Sequence, residues 1–292
     1  MKIVITGREG QVVQSLLEKA LQYPGFQVIA LGRPELDLTK PNAVRNVIEV
    51  MKPDLVVSAA AYTAVDMAED EPELAFAVNA AGAEAVAEAA KTCGVPVIHL
   101  STDYVFAGDS SEPYVENDIT GPRSTYGSSK LEGERLVGLA NPKHIILRTA
   151  WVYSPFGKNF VKTVLKLAET RDALSVVSDQ WGNPTSALDI ADAIIKLAQH
   201  LSVTPDFALY GVYHLVGTGE TNWSNFARAV FTESGKRGGP TASVADIDTI
   251  EHPTKAVRPA NSRLSTTKFQ EAFHWSPPEW QSSLRDVVER LV

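Results

Sequence analysis

A phenol and an ammonium stand four residues apart in Ser124-Thr125-Tyr126-Gly127-Ser128-Ser129-Lys130, after a Gly121-Pro122 turn and before the charged run Leu131-Glu132-Gly133-Glu134-Arg135. If a helix begins there, Tyr126 and Lys130 share one face. A free tyrosine titrates near pH ~10, and each unit of downward shift requires about 1.4 kcal/mol in favour of the tyrosinate. An ammonium about 4–5 Å away supplies roughly 1 kcal/mol in bulk water, but nearer 4 kcal/mol at an effective dielectric of about 20. The pair therefore does proton-transfer chemistry only in a half-dry pocket. On an open helix face it is a surface Tyr and Lys, and the surroundings decide between the two.

The elements that would position this pair begin at the second residue. Lys2-Ile3-Val4-Ile5-Thr6 is β-branched without polar alternation, which suits a strand buried on both faces of a parallel sheet. Gly7-Arg8-Glu9-Gly10-Gln11-Val12-Val13 follows, then a helical pattern through Leu16, Leu17 and Ala20. Strand, glycine turn and helix in that order make a dinucleotide phosphate cradle: Gly7 allows the turn, Gly10 admits the pyrophosphate, and the helix N-terminus faces the charge. Val13 stands where the third glycine would pack helix on strand, so the helix is expected to sit slightly outward.

A second strand, 26–31, ends in Gly32-Arg33 with no acid to select the free ribose hydroxyls of NAD. Arg33 and Arg8 tilt the reading towards NADPH; solvated surface arginines are the alternative, and NADH stays open. Asp37-Leu38-Thr39 reads as a loop and N-cap before the helix 41–51, placed where it could touch the adenine. A third strand, 53–58, runs into Ala59-Ala60-Ala61-Tyr62-Thr63, whose small residues leave room either for a flat cofactor or for tight helix packing. Glu69-Asp70-Glu71 reads as a solvated approach to the helix 73–93, within which Asn79 reads as a structural hydrogen bonder. A fourth strand, 95–100, delivers Ser101-Thr102-Asp103-Tyr104-Val105-Phe106 to its carboxyl end, where ligands of open α/β sheets sit. Thr102 can there meet a substrate oxygen, with Tyr126 and Lys130 only one loop away. Strand-end hydroxyl, phenol and ammonium behind a glycine cradle point to a reductase.

The whole chain is compatible with that. Its 292 residues are 44% hydrophobic, enough for one large or two modest domains, and the net charge of -8 argues against nucleic acid or an anionic membrane as the main partner. One cysteine, Cys93, excludes an intramolecular disulfide and a Cys-cluster metal site, and the six histidines lack ligand spacing. No apolar run approaches the ~18 residues of a membrane span, and a strand at residue 2 leaves no room for a signal peptide, so a cytoplasmic protein is expected.

Taken together, Gly7-x-x-Gly10-Gln11-Val12, Ala59-Ala60-Ala61-Tyr62-Thr63-Ala64-Val65-Asp66, Ser101-Thr102-Asp103-Tyr104-Val105-Phe106, Tyr126-Gly127-x-x-Lys130-x-x-Gly133-Glu134 and Arg148-Thr149-Ala150-Trp151-Val152-Tyr153 resemble the dTDP-4-dehydrorhamnose reductase family of the extended short-chain dehydrogenase/reductase superfamily. Gln180-x-Gly182-x-Pro184-Thr185 and Arg258-Pro259-x-Asn261-Ser262-x-Leu264 extend the resemblance over nearly the whole chain. It implies an α/β fold with a Rossmann-type doubly wound parallel sheet and a smaller, partly discontinuous C-terminal substrate domain. By resemblance, Tyr126 is the proton donor, Lys130 lowers its pKa and binds the nicotinamide ribose, and Thr102 bonds the reacting oxygen. Gly7, Gly10, Gln11, Val12, Arg33, Asp37, Leu38, Ala60, Ala61, Tyr62 and Thr63 would contact the cofactor with Tyr126 and Lys130. Thr102, Asp103, Tyr104, Trp151 and Arg258 would line the sugar pocket. Ser15 stands where some relatives carry a glutamate linked to a magnesium-bridged dimer, so no metal site is carried over, and a homodimer is left open.

The expected division is a dinucleotide-binding domain over 1–150, with returning segments at roughly 174–216, and a substrate domain from the remainder of 151–292. Residues 145–149 and 212–216 read as strands, and 160–167, 189–199 and 223–234 as helices. Arg258 and Arg263 could meet a diphosphate or be plain surface charges. The implied reaction is NADPH-dependent reduction of the C4 ketone of dTDP-4-dehydro-L-rhamnose. A dehydratase would place an Asp-Glu pair after the threonine, but Asp103 is followed by Tyr104. An epimerase would hold NAD tightly, and a silent NADP-binding subunit would have no use for a tuned phenol.

Overall fold

The computed structural model describes residues 1–204 and 206–292. The first half alternates β1 (Lys2–Thr6), α1 (Gln11–Ala20), β2 (Gln27–Leu31), α2 (Pro41–Met51) and β3 (Leu55–Ser58). Two short helices, α3 (Val65–Ala68) and α4 (Pro72–Phe76), lead through a π-helical turn at Ala77–Ala81 into α5 (Gly82–Thr92). Then come β4 (Val97–Thr102), α6 (Thr125–Ala140) and β5 (His144–Thr149). The second half holds β6 (Val152–Tyr153), α7 (Phe160–Ala168), β7 (Ala173–Val177), β8 (Trp181–Gly182), β9 (Thr185–Ser186), α8 (Ala187–Val203) and β10 (Gly211–His214). It ends with β11 (Thr221–Asn222), α9 (Trp223–Gly235), β12 (Ser243–Ile247), α10 (Thr267–Phe273) and α11 (Trp280–Glu289).

Six strands form one sheet in the order β10-β5-β4-β3-β1-β2, and every pairing in it is parallel. The chain winds outward from β1 in both directions, so the order reverses between β1 and β3 and opens a crevice at the strands' carboxyl ends. This is the expected doubly wound sheet. Strand alternation assigns the two faces. Ile3, Ile5, Leu55, Val57, Ile98, Leu100, Ile145 and Leu147 pack against α1 and α8, whereas Val4, Val56, Val97 and Ile146 pack against α2, α5 and Val137 of α6. Towards the carboxyl ends this second face turns polar: Ser58, His99, Ser101 and Arg148 are all buried there.

A separate apolar cluster gathers Tyr153, Val161, Leu165, Phe226, Val230, Trp280 and Leu284 from β6, α7, α9 and α11. β7 pairs with β12 beside it, while β10 adds to the edge of the main sheet. Among the described residues no helix is long and apolar enough to cross a membrane.

Helix α6 lies close enough to the π-helical turn that a β-carbon on Gly133 would collide with the Asn79 carbonyl oxygen. A backbone-to-helix approach of this kind cannot relax by a rotamer change. Gly133→Ala is expected to lower unfolding free energy by about 1–3 kcal/mol, the usual cost of overpacking, measured by equilibrium urea denaturation.

Candidate active site

The crevice at the reversal point is a cleft of about 910 Å³ lined by every residue expected to contact the cofactor: Gly7, Gly10, Gln11, Val12, Arg33, Asp37, Leu38, Ala60, Ala61, Tyr62, Thr63, Tyr126 and Lys130. Gly7 takes a positive φ of 104°, which lets β1 turn into α1 without a β-carbon in the way. Val13, the departure from the three-glycine pattern, is buried, with a methyl against Gly7. No side chain caps α1, so its first N–H groups remain available to an anion. The Gln11 side chain is already engaged, accepting from Ser154 Oγ at 2.9 Å and Asn159 Nδ2 at 3.0 Å. The buried Thr149 hydroxyl, on the cleft wall, has no partner among the described residues. Free helix N–H groups and an unspent hydroxyl in a cleft of this size fit a dinucleotide.

The walls are built by side chains at the strand ends. The Thr6 hydroxyl accepts from the N–H groups of Ala59 and Ala60, both at 3.0 Å, and so holds the alanine turn against β1. Asn79 accepts from Tyr62 N at 2.8 Å and donates to Tyr62 O at 3.1 Å and to Ser129 Oγ at 3.0 Å, joining that turn to α6. Asp37 does not cap α2, whose N-cap is Lys40; it accepts from Thr39 N and Oγ1, and these bonds hold its carboxyl below the ordinary range. Arg8 is paired with Glu35 at 2.7 Å, while Arg33 lies exposed on the cleft wall.

At the mouth, Thr102 Oγ1 donates to Asp103 Oδ1 at 2.9 Å and accepts from Tyr104 N at 3.2 Å. The Tyr104 ring meets Tyr126 edge-on, with centroids 5.6 Å apart, and Arg258 Nη1 donates to the Tyr104 hydroxyl at 3.0 Å. Burial pushes the Asp103 acid up to about 6, against the opposing pull of the Ser262 and Thr102 hydroxyls. Thr102, Asp103, Tyr104, Tyr126 and Arg258 thus form one group. Trp151, just beyond β5, stacks at 3.6 Å on Trp223 and packs against the cluster that includes Val105 and Phe106. Arg258 and Arg263 do not converge: Arg258 pairs with Asp66 at 2.6 Å and Arg263 with Glu220 at 3.2 Å.

Two expectations need correction. Lys130 does not draw the Tyr126 phenol down: Nζ donates instead to Leu100 O at 2.6 Å and lies 3.3 Å from His99 Nε2. Desolvation dominates the phenol and pushes it upward, with the Thr102 hydroxyl opposing. Burial also lowers Lys130 to about 8, against the pull of Glu134. Nor is the acidic triplet a solvated approach. Glu69 accepts from Thr125 N at 2.8 Å and Oγ1 at 2.9 Å at the start of α6, Glu71 accepts from the Tyr62 hydroxyl at 2.7 Å, and Asp70 pairs with Lys255. Glu71 is the largest influence on the Tyr62 phenol, which stands at about 12. Sequence reading also passed over His99, Ser58 and the buried Glu134–Arg148 pair; polar residues inside an apolar strand were the available signal. Among the described residues no three His, Cys, Asp or Glu side chains are grouped to hold a metal.

A doubly wound sheet with a glycine cradle at its reversal point, and a Tyr-x-x-x-Lys helix beside a strand-end threonine, defines a short-chain dehydrogenase/reductase. The family model described as RmlD substrate binding domain matches residues 1–292. A dTDP-4-dehydrorhamnose reductase of Sinorhizobium fredii is 50% identical over 100% of this chain and 98% of its own length. A crystal structure of a dTDP-4-dehydrorhamnose reductase from Clostridium acetobutylicum superposes with a TM-score of 0.92 at 37% identity, covering 100% of this chain and 99% of that one. The Bacillus anthracis enzyme of that name, solved in complex with NADP, gives 0.91 at 34% identity, covering 98% of each chain. The chain belongs to the dTDP-4-dehydrorhamnose reductase family.

Glu69 ties the amino end of the Tyr126 helix to α3. Glu69→Ala is expected to cost about 1 kcal/mol of stability, as for a lost helix cap, and to speed amide hydrogen exchange at the start of α6 relative to its end.

Proposed function

We propose that the chain reduces the C4 ketone of dTDP-4-dehydro-L-rhamnose to dTDP-L-rhamnose with NADPH. The observation that carries this reading is the meeting of the Thr102 and Tyr126 hydroxyls at the end of β4, with Tyr126 on the wall of the dinucleotide cleft, in a chain 50% identical over its length to a reductase of that name. NADPH is favoured because Arg33 offers an exposed guanidinium where an NAD-selective acid would stand, and because a relative of the family is solved with NADP. Bound in the cleft, the dihydronicotinamide supplies the hydride that C4 receives.

The chain's own residues do the rest. Tyr126 holds its proton through neutral pH, because burial disfavours the phenolate, and gives it to the far more basic oxygen that forms on C4. The Thr102 hydroxyl orients that oxygen. Lys130, anchored at Leu100 O, puts a positive charge beneath the site that favours the developing oxyanion and bonds the nicotinamide ribose. Asp103, Tyr104 and Arg258 line the sugar side, with Arg258 free to exchange Asp66 for a diphosphate oxygen; Trp151 closes the pocket from the second lobe. We assign the cofactor to the dinucleotide-binding domain, 1–150 with the returning segments at roughly 174–216, and the sugar to the junction of that domain with the remainder of 151–292. Both reactants are charged and soluble, which suits a cytoplasmic enzyme, with a homodimer as its assembly.

The direct test supplies the purified protein with NADPH and the dTDP-4-keto-6-deoxy sugar together with its epimerase, and follows loss of the 340 nm absorbance. No oxidation with any nucleotide keto-sugar would overturn the assignment. Tyr126→Phe is expected to lower kcat by roughly 10²–10⁴ while NADPH affinity, read by fluorescence titration, stays near that of the parent. Because Lys130 deprotonates at about 8 while the phenol titrates higher, kcat/KM should fall on the alkaline side with its midpoint near that value. A profile flat to pH ~10, the ordinary lysine and tyrosine range, would remove Lys130 from the mechanism.

A further inference from the structure

The reductase assignment gives no role to His99, a buried titratable side chain in contact with Lys130. His99 lies in the middle of β4, its ring almost wholly enclosed between the sheet and α6. Its Nδ1 is 3.0 Å from Ser58 Oγ, on the residue directly opposite in β3, and its Nε2 is 3.3 Å from Lys130 Nζ. Desolvation and the neighbouring ammonium both keep the ring neutral. Since an ammonium can only donate, Nε2 must be the unprotonated nitrogen and Nδ1 carries the hydrogen, given to Ser58 Oγ.

We infer that His99 is a positioning residue, whose neutral imidazole is held in one tautomer by Ser58 so that Nε2 accepts from Lys130 and keeps the amine protonated and anchored against β4 on the cleft wall. This deepens the reductase reading and rests on it. The Lys130 amine has two acceptors, Leu100 O and this ring, in a place where desolvation works against its charge. The other groups of this layer are accounted for. Glu134, one turn along α6, is spent on Arg148 of β5 at 2.7 Å and on Ser101 Oγ at 2.5 Å. Tyr126, one turn before Lys130, is neutral; Asn79 and Ser129 bond each other. The imidazole is therefore the side-chain acceptor in direct contact with the amine, and it adds to the longer-range pull of Glu134 in setting how firmly the amine holds its proton.

The experiment compares His99→Asn with His99→Gln. An asparagine amide reaches the place of Nδ1 and can meet only Ser58, whereas a glutamine amide reaches the place of Nε2 and can present its oxygen to Lys130. His99→Asn is expected to move the alkaline limb of kcat/KM down by about one pH unit, the size of one lost bond to a charged donor, and His99→Gln to return it to the parental position. The Lys130 13Cε resonance, titrated in lysine-labelled protein without substrate, should move in step. A limb and resonance unchanged in His99→Asn, or displaced equally in both variants, would overturn the role. If His99→Asn does not fold, Ser58→Ala frees the ring to adopt the other tautomer: a shift in the same direction supports the contact, and an unshifted titration removes it. The resonance needs no turnover, so a failed reductase assay would sink the activity assignment while leaving this contact separately decided.

Discussion

One buried cation sets the geometry of this protein. Taking the Lys130 ammonium out of water costs several kcal/mol, and the fold recovers it with a strand carbonyl, a neutral imidazole and the field of Glu134. Because Leu100 O and His99 both belong to β4, the lysine fixes how α6 lies along that strand. Tyr126, Lys130 and Glu134 recur every four residues and form one stripe on the helix. Lys130 stands over His99, and Glu134 stands over Ser101 and Arg148. Slipping the helix by one turn in one direction would set an ammonium over a guanidinium, and in the other a carboxylate against a carbonyl, so the polar layer works as a register device. The phenol at the head of the stripe is thereby delivered to the end of β4, where Thr102 waits.

The same helix is pinned from its other side by groups that touch neither reacting atoms nor one another's chemistry. Glu69 holds its first backbone N–H, Asn79 reaches Ser129, and Gly133 lets it settle on the π-helical turn. Asp66 and Asp70, beside Glu69, hold Arg258 and Lys255 from the loop that crosses from the second lobe. A single acidic segment, 66–71, thus anchors the start of α6, the Tyr62 hydroxyl and the loop that carries Lys255 and Arg258. Exposed ion pairs are individually weak, which describes Lys255–Asp70, whereas the Arg258 side chain is more enclosed and also donates to the Tyr104 hydroxyl.

The sheet was legible because its strands are short apolar runs, each followed by a helical pattern, and the cleft residues were legible because glycine and alanine at strand ends have few other uses. The polar layer was harder to read. His99 and Ser101, two positions apart, each interrupt an apolar strand by one residue, and without knowing which helix lies above, that alternation does not distinguish a buried hydrogen-bond network from an exposed face. Glu69-Asp70-Glu71 misled for the opposite reason: three consecutive acids usually face water, and only the fold brings Thr125, Tyr62 and Lys255 to them. The tuning of Tyr126 was misjudged because spacing along a helix reports that two groups share a face, not which way the amine turns.

That last point changes how the site works. An amine turned into the strand cannot make the phenol acidic by contact, so on the proposed reading the proton donor is a neutral, desolvated phenol and the lysine acts through its field on the oxygen that gains charge. Asp103 sharpens the contrast. Its carboxyl is raised to about 6 from an ordinary value near 3.8, so the stabilisation from its protonated form is complete below the lower figure and lost as pH rises through the higher one. At neutral pH the site therefore carries a reluctant carboxylate beside Thr102 and a reluctant ammonium beneath Tyr126, both kept charged against desolvation. On the proposed reading, a ketone bound between them would meet a field that runs from the amine towards the acid, so negative charge gathering on its oxygen would be favoured where that oxygen lies nearer Lys130 than Asp103.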